Sequence, residues 1–92
     1  MFLEIVSPEA VILAAEVKSV TVPGVEGEFQ MLENHAAIVS ILEKGKVSFD
    51  GDVEIKEAVR KLFKKHDDGK WYFPVKGGVV EMKDNKVIVL AD

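Results

Sequence analysis

Few residues in this chain combine types and spacing that chemistry could use. Glu33 and His35 stand two apart in Glu33-Asn34-His35. A carboxylate beside an imidazole can act as a general acid–base pair or supply two ligands to a metal ion. The two do not close a zinc site, which needs three or four protein ligands, and neither a cysteine nor a nearby second histidine completes the set. A lone histidine ordering a turn is the competing reading of His35. The absence of cysteine excludes disulfides, thiolate nucleophiles and Cys-based zinc sites. There is no Gly-rich phosphate loop ending in Gly-Lys-Ser/Thr, no Gly-x-Ser-x-Gly elbow and no close Ser/His/Asp set. Gly24-Val25-Glu26-Gly27 has the GxxG spacing of an RNA-clamping KH loop, but Glu26 and Glu28 make it acidic, and it would repel phosphates. Those two glutamates flank Gly27 and read either as a solvated turn or as an acidic docking surface for a basic partner.

The elements that must position these residues are short strands. Ser19 to Thr21 alternates with Val20 and Val22, and Pro23-Gly24 is expected to stop that strand, since Pro lacks an N–H and Gly tolerates positive φ. A second bend at Gly27, an apolar run from Phe29 to Leu32, and a turn opened by Asn34 follow. Ser19–His35 is therefore strand, acidic loop, strand and turn, leading into a third strand from Ala36. Elsewhere Phe2–Val6, Val11–Ala15, Lys46–Phe49, Trp71–Val75, Val79–Met82 and Lys86–Leu90 read as strands. Ser7-Pro8-Glu9, Lys44-Gly45 and Asp84-Asn85 read as turns between them. The nearly continuous apolar character of Lys86–Leu90 suits a central strand. Trp71, Tyr72 and Phe73 read as core and cross-strand packing rather than a ligand platform. Many short strands at close spacing point to a β-sandwich or small barrel.

One segment breaks the pattern. Ile55, Ala58, Val59, Leu62 and Phe63 recur at helical spacing and predict an amphipathic α-helix over about 53–66, capped by Asp52 and ended by Asp67-Asp68-Gly69. Its polar face holds Lys56, Arg60, Lys61, Lys64 and Lys65 against Glu57 alone. That is net +4 in a chain of net −4, so the remainder carries −8. Such a face is usually solvated but also suits an acidic partner or anionic lipid.

Length and composition set the outer bounds. Ninety-two residues suit one domain, and a chain of this size buries about 60–65% of its unfolded surface. The net charge of −4 and a pI near 5.2 argue against general nucleic-acid binding. No apolar run is long enough for a membrane-spanning helix, and the N-terminus enters a strand pattern without a signal-peptide core, which favours a cytosol-like compartment.

Three runs carry a family resemblance. Val22-Pro23-Gly24-Val25-Glu26-Gly27-Glu28-Phe29, followed by Asn34-His35-Ala36, resembles the signature of the epsilon subunit of F-type ATP synthases. Lys76-Gly77-Gly78-Val79-Val80-Glu81 with Asn85–Asp92 is similar to a second family run, and Leu3–Glu9 to a third. In order, they cover most of the chain outside roughly residues 50 to 70. Gln30, Glu33 and Ala37 stand where the family pattern has Gly, Pro and Pro, and the helical insert has no known family counterpart.

The resemblance implies a flattened ten-stranded sandwich of two five-stranded sheets, which periodicity alone does not give. It implies a non-catalytic rotor subunit that needs no cofactor or metal and couples proton flow to ATP synthesis by joining the gamma shaft to the c-ring. By position, Val25, Glu26, Gly27 and Glu28 inherit the contact with the ring loops, and Ser7, His35 and Ser40 the contact with gamma. It implies a peripheral place at the cytoplasmic face of a bacterial inner membrane, or less readily a plastid-type one. The chain stops at Asp92, where the family's two-helix hairpin would begin, so a single sandwich domain over 1–92 without that extended brake is expected. Two alternatives stay open on the residues alone: a stand-alone β-sandwich adaptor, and a small hydrolase using Glu33 and His35.

Overall fold

The computed structural model describes residues 1–92. Ten strands form: β1 (Phe2–Val6), β2 (Val11–Glu16), β3 (Ser19–Gly24), β4 (Gly27–Leu32), β5 (Ile38–Leu42), β6 (Gly45–Asp50), β7 (Lys64–Lys65), β8 (Trp71–Val75), β9 (Gly78–Lys83) and β10 (Lys86–Ala91). They make one hydrogen-bonded path, β2-β1-β10-β9-β5-β3-β6-β8-β7, with β4 added beside β3. The path curls over into two layers of five strands. β2, β1, β10, β9 and β5 form the first layer, and β4, β3, β6, β8 and β7 the second. The ten-stranded sandwich expected from the resemblance is therefore present. β10 is central in its layer, paired parallel to β1 and antiparallel to β9. The other pairs are antiparallel.

Alternation along each strand builds the core between the layers, because successive side chains point to opposite faces. Register places Ile5, Val89 and Val80 in one cross-strand row and Leu3, Val87 and Met82 in the next. The opposite layer answers with Val20 and Val22 of β3, Met31 of β4, and Val47 and Phe49 of β6. All eleven are at most 1% exposed. Full burial of such side chains stabilises the fold by about 1.5–3 kcal/mol each. Trp71 and Phe73 also face inward, as the sequence suggests, whereas Tyr72 points outward and is half-buried.

Pro23 does not stop β3. The strand runs through it to Gly24, with Pro23 opposite Glu28. Its missing N–H falls on the side where no ladder bond is needed, and its carbonyl accepts the Glu43 N–H at 2.9 Å.

The α-helix expected over 53–66 is not formed. Only Glu57–Leu62 is helical, as a 3-10 helix, and Asp52 is not its cap: the N-cap is Lys56, with no side-chain bond. The reason is competition for the ends of the segment. Phe63 sits between Phe49 and Phe73, with ring centroids 5.9 and 5.1 Å away, and Lys64 and Lys65 continue as an extended strand opposite Tyr72 and Trp71. Ile55 is drawn into the core from the other side and is 4% exposed. Seven residues, Lys56 to Leu62, remain between these anchors, fewer than an α-helix needs to repay its nucleation. They close i→i+3 turns instead, with Val59 N–H to Lys56 O and Phe63 N–H to Arg60 O at 3.1 Å each. The apolar stripe is accordingly split: Ile55 and Phe63 are buried, Val53 and Val59 are partly so, and Leu62 is 40% exposed.

Candidate functional site

Register assigns each residue to one end of the sandwich. The β3–β4 hairpin, the β5–β6 turn at Glu43-Lys44, the β1–β2 turn and the β8–β9 turn lie at one end. The insert, the turn after β4 and the β9–β10 turn lie at the other.

Val25 and Glu26 form the tip of the β3–β4 hairpin, between the paired Gly24 and Gly27. The left-handed residue is Gly27, at φ 127°, and a Cβ there would meet nothing within 4 Å. The need for glycine at this position is thus one of backbone conformation, not space. Val25 is 51% exposed, and Glu26 and Glu28 are exposed on either side of Gly27. The tip is tied back to the first layer, since Val25 N–H donates to Ile41 O at 3.1 Å. Four backbone-ordered residues therefore present two carboxylates and one apolar side chain at a single end.

Ser7, His35 and Ser40 do not converge. Ser7 lies in the β1–β2 turn at the hairpin end, where its hydroxyl donates to Ala10 O at 3.3 Å. His35 lies in the turn at the far end; its Nδ1 pairs with Ala36 O at 2.7 Å and its N–H donates to Leu32 O at 3.1 Å. Ser40 sits midway along β5, half-buried opposite Val80. The three lie at separate points along the length of the first layer, and Ser40 is on its core-facing side.

Glu33 and His35 form no dyad. The Glu33 carboxylate receives the Met1 ammonium at 2.9 Å on both oxygens, and Asn85 Nδ2 donates to it at 2.6 Å. The Asn85 amide group holds it to the carboxylate, and together with the ammonium this keeps the Glu33 carboxyl below its usual range. The same carboxylate raises the Met1 ammonium above its usual value, with help from Glu16 at 3.3 Å. Asn85 also accepts the Asn34 N–H at 2.8 Å, so Glu33 pins the first strand to two turns.

A further surface was not singled out by its residue types. On the outer face of the first layer, pairing aligns Ile41, Val79, Leu90, Val6 and Val11 in one row across β5, β9, β10, β1 and β2. Ile41 is 62% exposed, Val11 57% and Leu90 49%, and Val39 beside the row is 68% exposed. Soluble folds seldom leave a contiguous apolar row on a sheet face unless something covers it. The signal was present in the sequence as β5 and β10 being apolar on both faces. It could be read as a strand buried on both sides as easily as one half-covered by a partner.

An acidic hairpin at one end and an apolar row across the outer sheet face mark a small two-layer β-sandwich module. Residues 1–61 match the family model described as ATP synthase, Delta/Epsilon chain, beta-sandwich domain. The ATP synthase epsilon chain of Campylobacter concisus (strain 13826) is 38% identical over 92 residues, covering 100% of this chain and 60% of that one. That of Aquifex aeolicus (strain VF5) is 37% identical over 89 residues, covering 97% and 55%, and that of Chlorobium limicola is 33% identical over 90 residues, covering 98% and 86%. The chain belongs to the ATP synthase epsilon family and carries its β-sandwich domain. It spans about 60% of the length of the Campylobacter relative. The same fold occurs in a Tetrahymena thermophila mitochondrial ATP synthase central stalk and c-ring structure, with TM-score 0.72 and 17% identity over 98% of this chain and 61% of that one. It occurs again in a Euglena gracilis mitochondrial ATP synthase structure containing F1 and the c-ring, with TM-score 0.71 and 22% identity over 97% and 48%.

Proposed function

We propose that this chain works as a rotor joint of a proton-driven ATP synthase, holding the gamma shaft on its first layer and the c-ring at its acidic hairpin. The observation that carries the reading is the exposed row Ile41–Val79–Leu90–Val6–Val11. A stable interface covers about 800 Å² per partner with an apolar centre. This row, with Ser7 just beyond Val6 at its edge, supplies such a centre across the outer face of the layer near the hairpin end. Glu26 and Glu28 with Val25 and Gly27 occupy the end free to meet basic ring loops, where complementary charge favours one orientation. The role is mechanical and non-catalytic. No helix is long and apolar enough to cross a membrane. In this reading the partners hold the chain at the cytoplasmic membrane face.

The test is binding to the isolated gamma subunit of the same source. Ile41→Asp with Val39→Asp is expected to weaken gamma binding at least about 100-fold, since two buried charges each cost several kcal/mol unless paired. Both positions are exposed here, so the fold should survive, as checked by the amide spectrum. Unchanged binding would overturn the docking assignment. The relatives' greater length gives a second occupant some support: a further segment of a longer chain could cover the same row. In that case the two aspartates would lower the stability of the longer chain and spare gamma binding.

A further inference from the structure

The misassigned insert creates a feature that the docking surfaces do not use. Its extended end runs beside β8 on the outer face of the second layer. There Lys64 and His66 join Lys46 of β6 and Tyr72 and Pro74 of β8 around a cleft of about 170 Å³. Tyr72 organises the cleft. The His66 ring packs on it with centroids 3.9 Å apart, and Lys46 Nζ stands 5.6 Å from the ring centroid.

The nearest carboxylate is already engaged. Asp68 Oδ2 accepts the Tyr72 hydroxyl at 3.2 Å, and Asp68 Oδ1 accepts the Lys70 N–H at 2.9 Å. Lys46, Lys64 and His66 form no ion pair within the chain, although its acids outnumber its bases. The ion pairs of the fold belong to the Met1 ammonium. Two ammoniums and an imidazole that share one opening, with Asp68 the one carboxylate beside them and already bonded to Tyr72 and Lys70, match an oxyanion in charge and in donors.

We propose that this cleft binds a phosphate group, held by the ammoniums of Lys46 and Lys64 and by an N–H of the His66 ring against the Tyr72 ring. The charged groups facing His66 are Lys46, Lys64, Asp68 and Lys70, and Glu28 of β4 lies close enough to Tyr72 to act on it. The two lysines attract the ligand and the imidazole N–H donates to it, while Asp68 and Glu28 oppose it and keep the affinity modest. The phosphate is either free in solution or the end of a phosphate monoester. The site lies apart from the first layer and meets the hairpin surface only through Glu28.

The experiment follows the imidazole resonances of His66 and His35 during titration with inorganic phosphate at fixed pH 6.5. Sodium chloride keeps the ionic strength constant. His66 is expected to shift saturably in the millimolar range while His35, at the turn after β4, stays still. Exposed ion pairs are weak singly, so Lys46→Ala with Lys64→Ala should weaken binding about tenfold. His66→Ala, read on the Tyr72 ring resonances, should weaken it further. Glycerol phosphate in a parallel arm separates the sources: equal binding marks recognition of the phosphate alone, and tighter binding marks an ester. Absence of saturation, equal movement of His35, or an unchanged response in the double-lysine variant would each overturn the proposal. None of these results bears on gamma binding.

Discussion

Phe63 and Leu62 are adjacent, and the structure gives them opposite weights. Phe63 is 6% exposed and packs edge-on against Phe49 and tilted against Phe73. Truncation of a buried Phe costs about 3–5 kcal/mol, including the cavity left behind, and aromatic pairs add about 0.5–1.5 kcal/mol beyond area. Phe63→Ala is therefore expected to cost about 4 kcal/mol. Leu62 is 40% exposed and lies on the outer side of the 3-10 helix, so Leu62→Ala should cost only about 0.5–1 kcal/mol. For a domain of this size each kcal/mol lowers Tm by roughly 4–8 °C, giving a fall of roughly 15–30 °C for the first variant and under 10 °C for the second. Urea unfolding followed by Trp71 fluorescence measures both, and the m-value checks that the unfolded states are comparable. An α-helix over 53–66 packed through one stripe would bury both side chains. Equal losses at the two positions would therefore refute the split stripe and restore the helix.

Two further outcomes follow from the charged groups. Glu33 has its carboxyl lowered by Asn85 and the Met1 ammonium, so its contribution is present above the unfolded value of 4.5 and lost as pH falls through the folded one. The Met1 ammonium is raised, chiefly by Glu33, so its contribution is present below 8.0 and lost as pH rises through the folded value. Glu33→Gln should flatten both limbs of the stability–pH curve, as measured by Tm from pH 3 to pH 10. A variant that retains both limbs would show that the clamp contributes nothing. Glu26→Lys with Glu28→Lys should change stability by only about 0.5 kcal/mol, since both side chains are exposed on a hairpin. It should weaken ring attachment and leave gamma binding intact; loss of both together, or of neither, in a pull-down would remove the assignment of the hairpin.

Strands were legible because half-covered sheets alternate, and the core rows of β1, β3 and β9 show that period plainly. The insert was not legible for the same kind of reason. A helical spacing of apolar residues says which residues could share a face, and nothing about anchors elsewhere. Phe49 and Phe73 compete for Phe63 from strands far away in sequence, and that tertiary contact overrides the local period. Pro23 misled in the opposite direction, since a strand tolerates proline where its nitrogen faces no ladder partner. Glu26 and Glu28 could be placed at a bend from Gly27 alone. The separation of Ser7 from His35 could not be read, because it depends on which strand pairs with which. The phosphate cleft was invisible for the same reason: Lys46, Lys64, His66 and Tyr72 meet only when β7 forms.

The hydrogen bond from Val25 N–H to Ile41 O has a mechanical meaning. Val25 is the hairpin tip, and Ile41 begins the apolar row on the first layer. Beside it, Gly24 pairs with Leu42, and the Pro23 carbonyl accepts the Glu43 N–H. The hairpin is thus stapled to β5 by a short ladder rather than hanging from β3 alone. A sideways push on the tip is transmitted through several bonds sharing the load, and reaches the apolar row within one residue. In the proposed joint, such a path would have little slack to take up before a load on the tip reached the apolar row. Its compliance is set by backbone geometry at Gly24 and Gly27, so lengthening the hairpin by even two residues would soften the link without touching either binding surface.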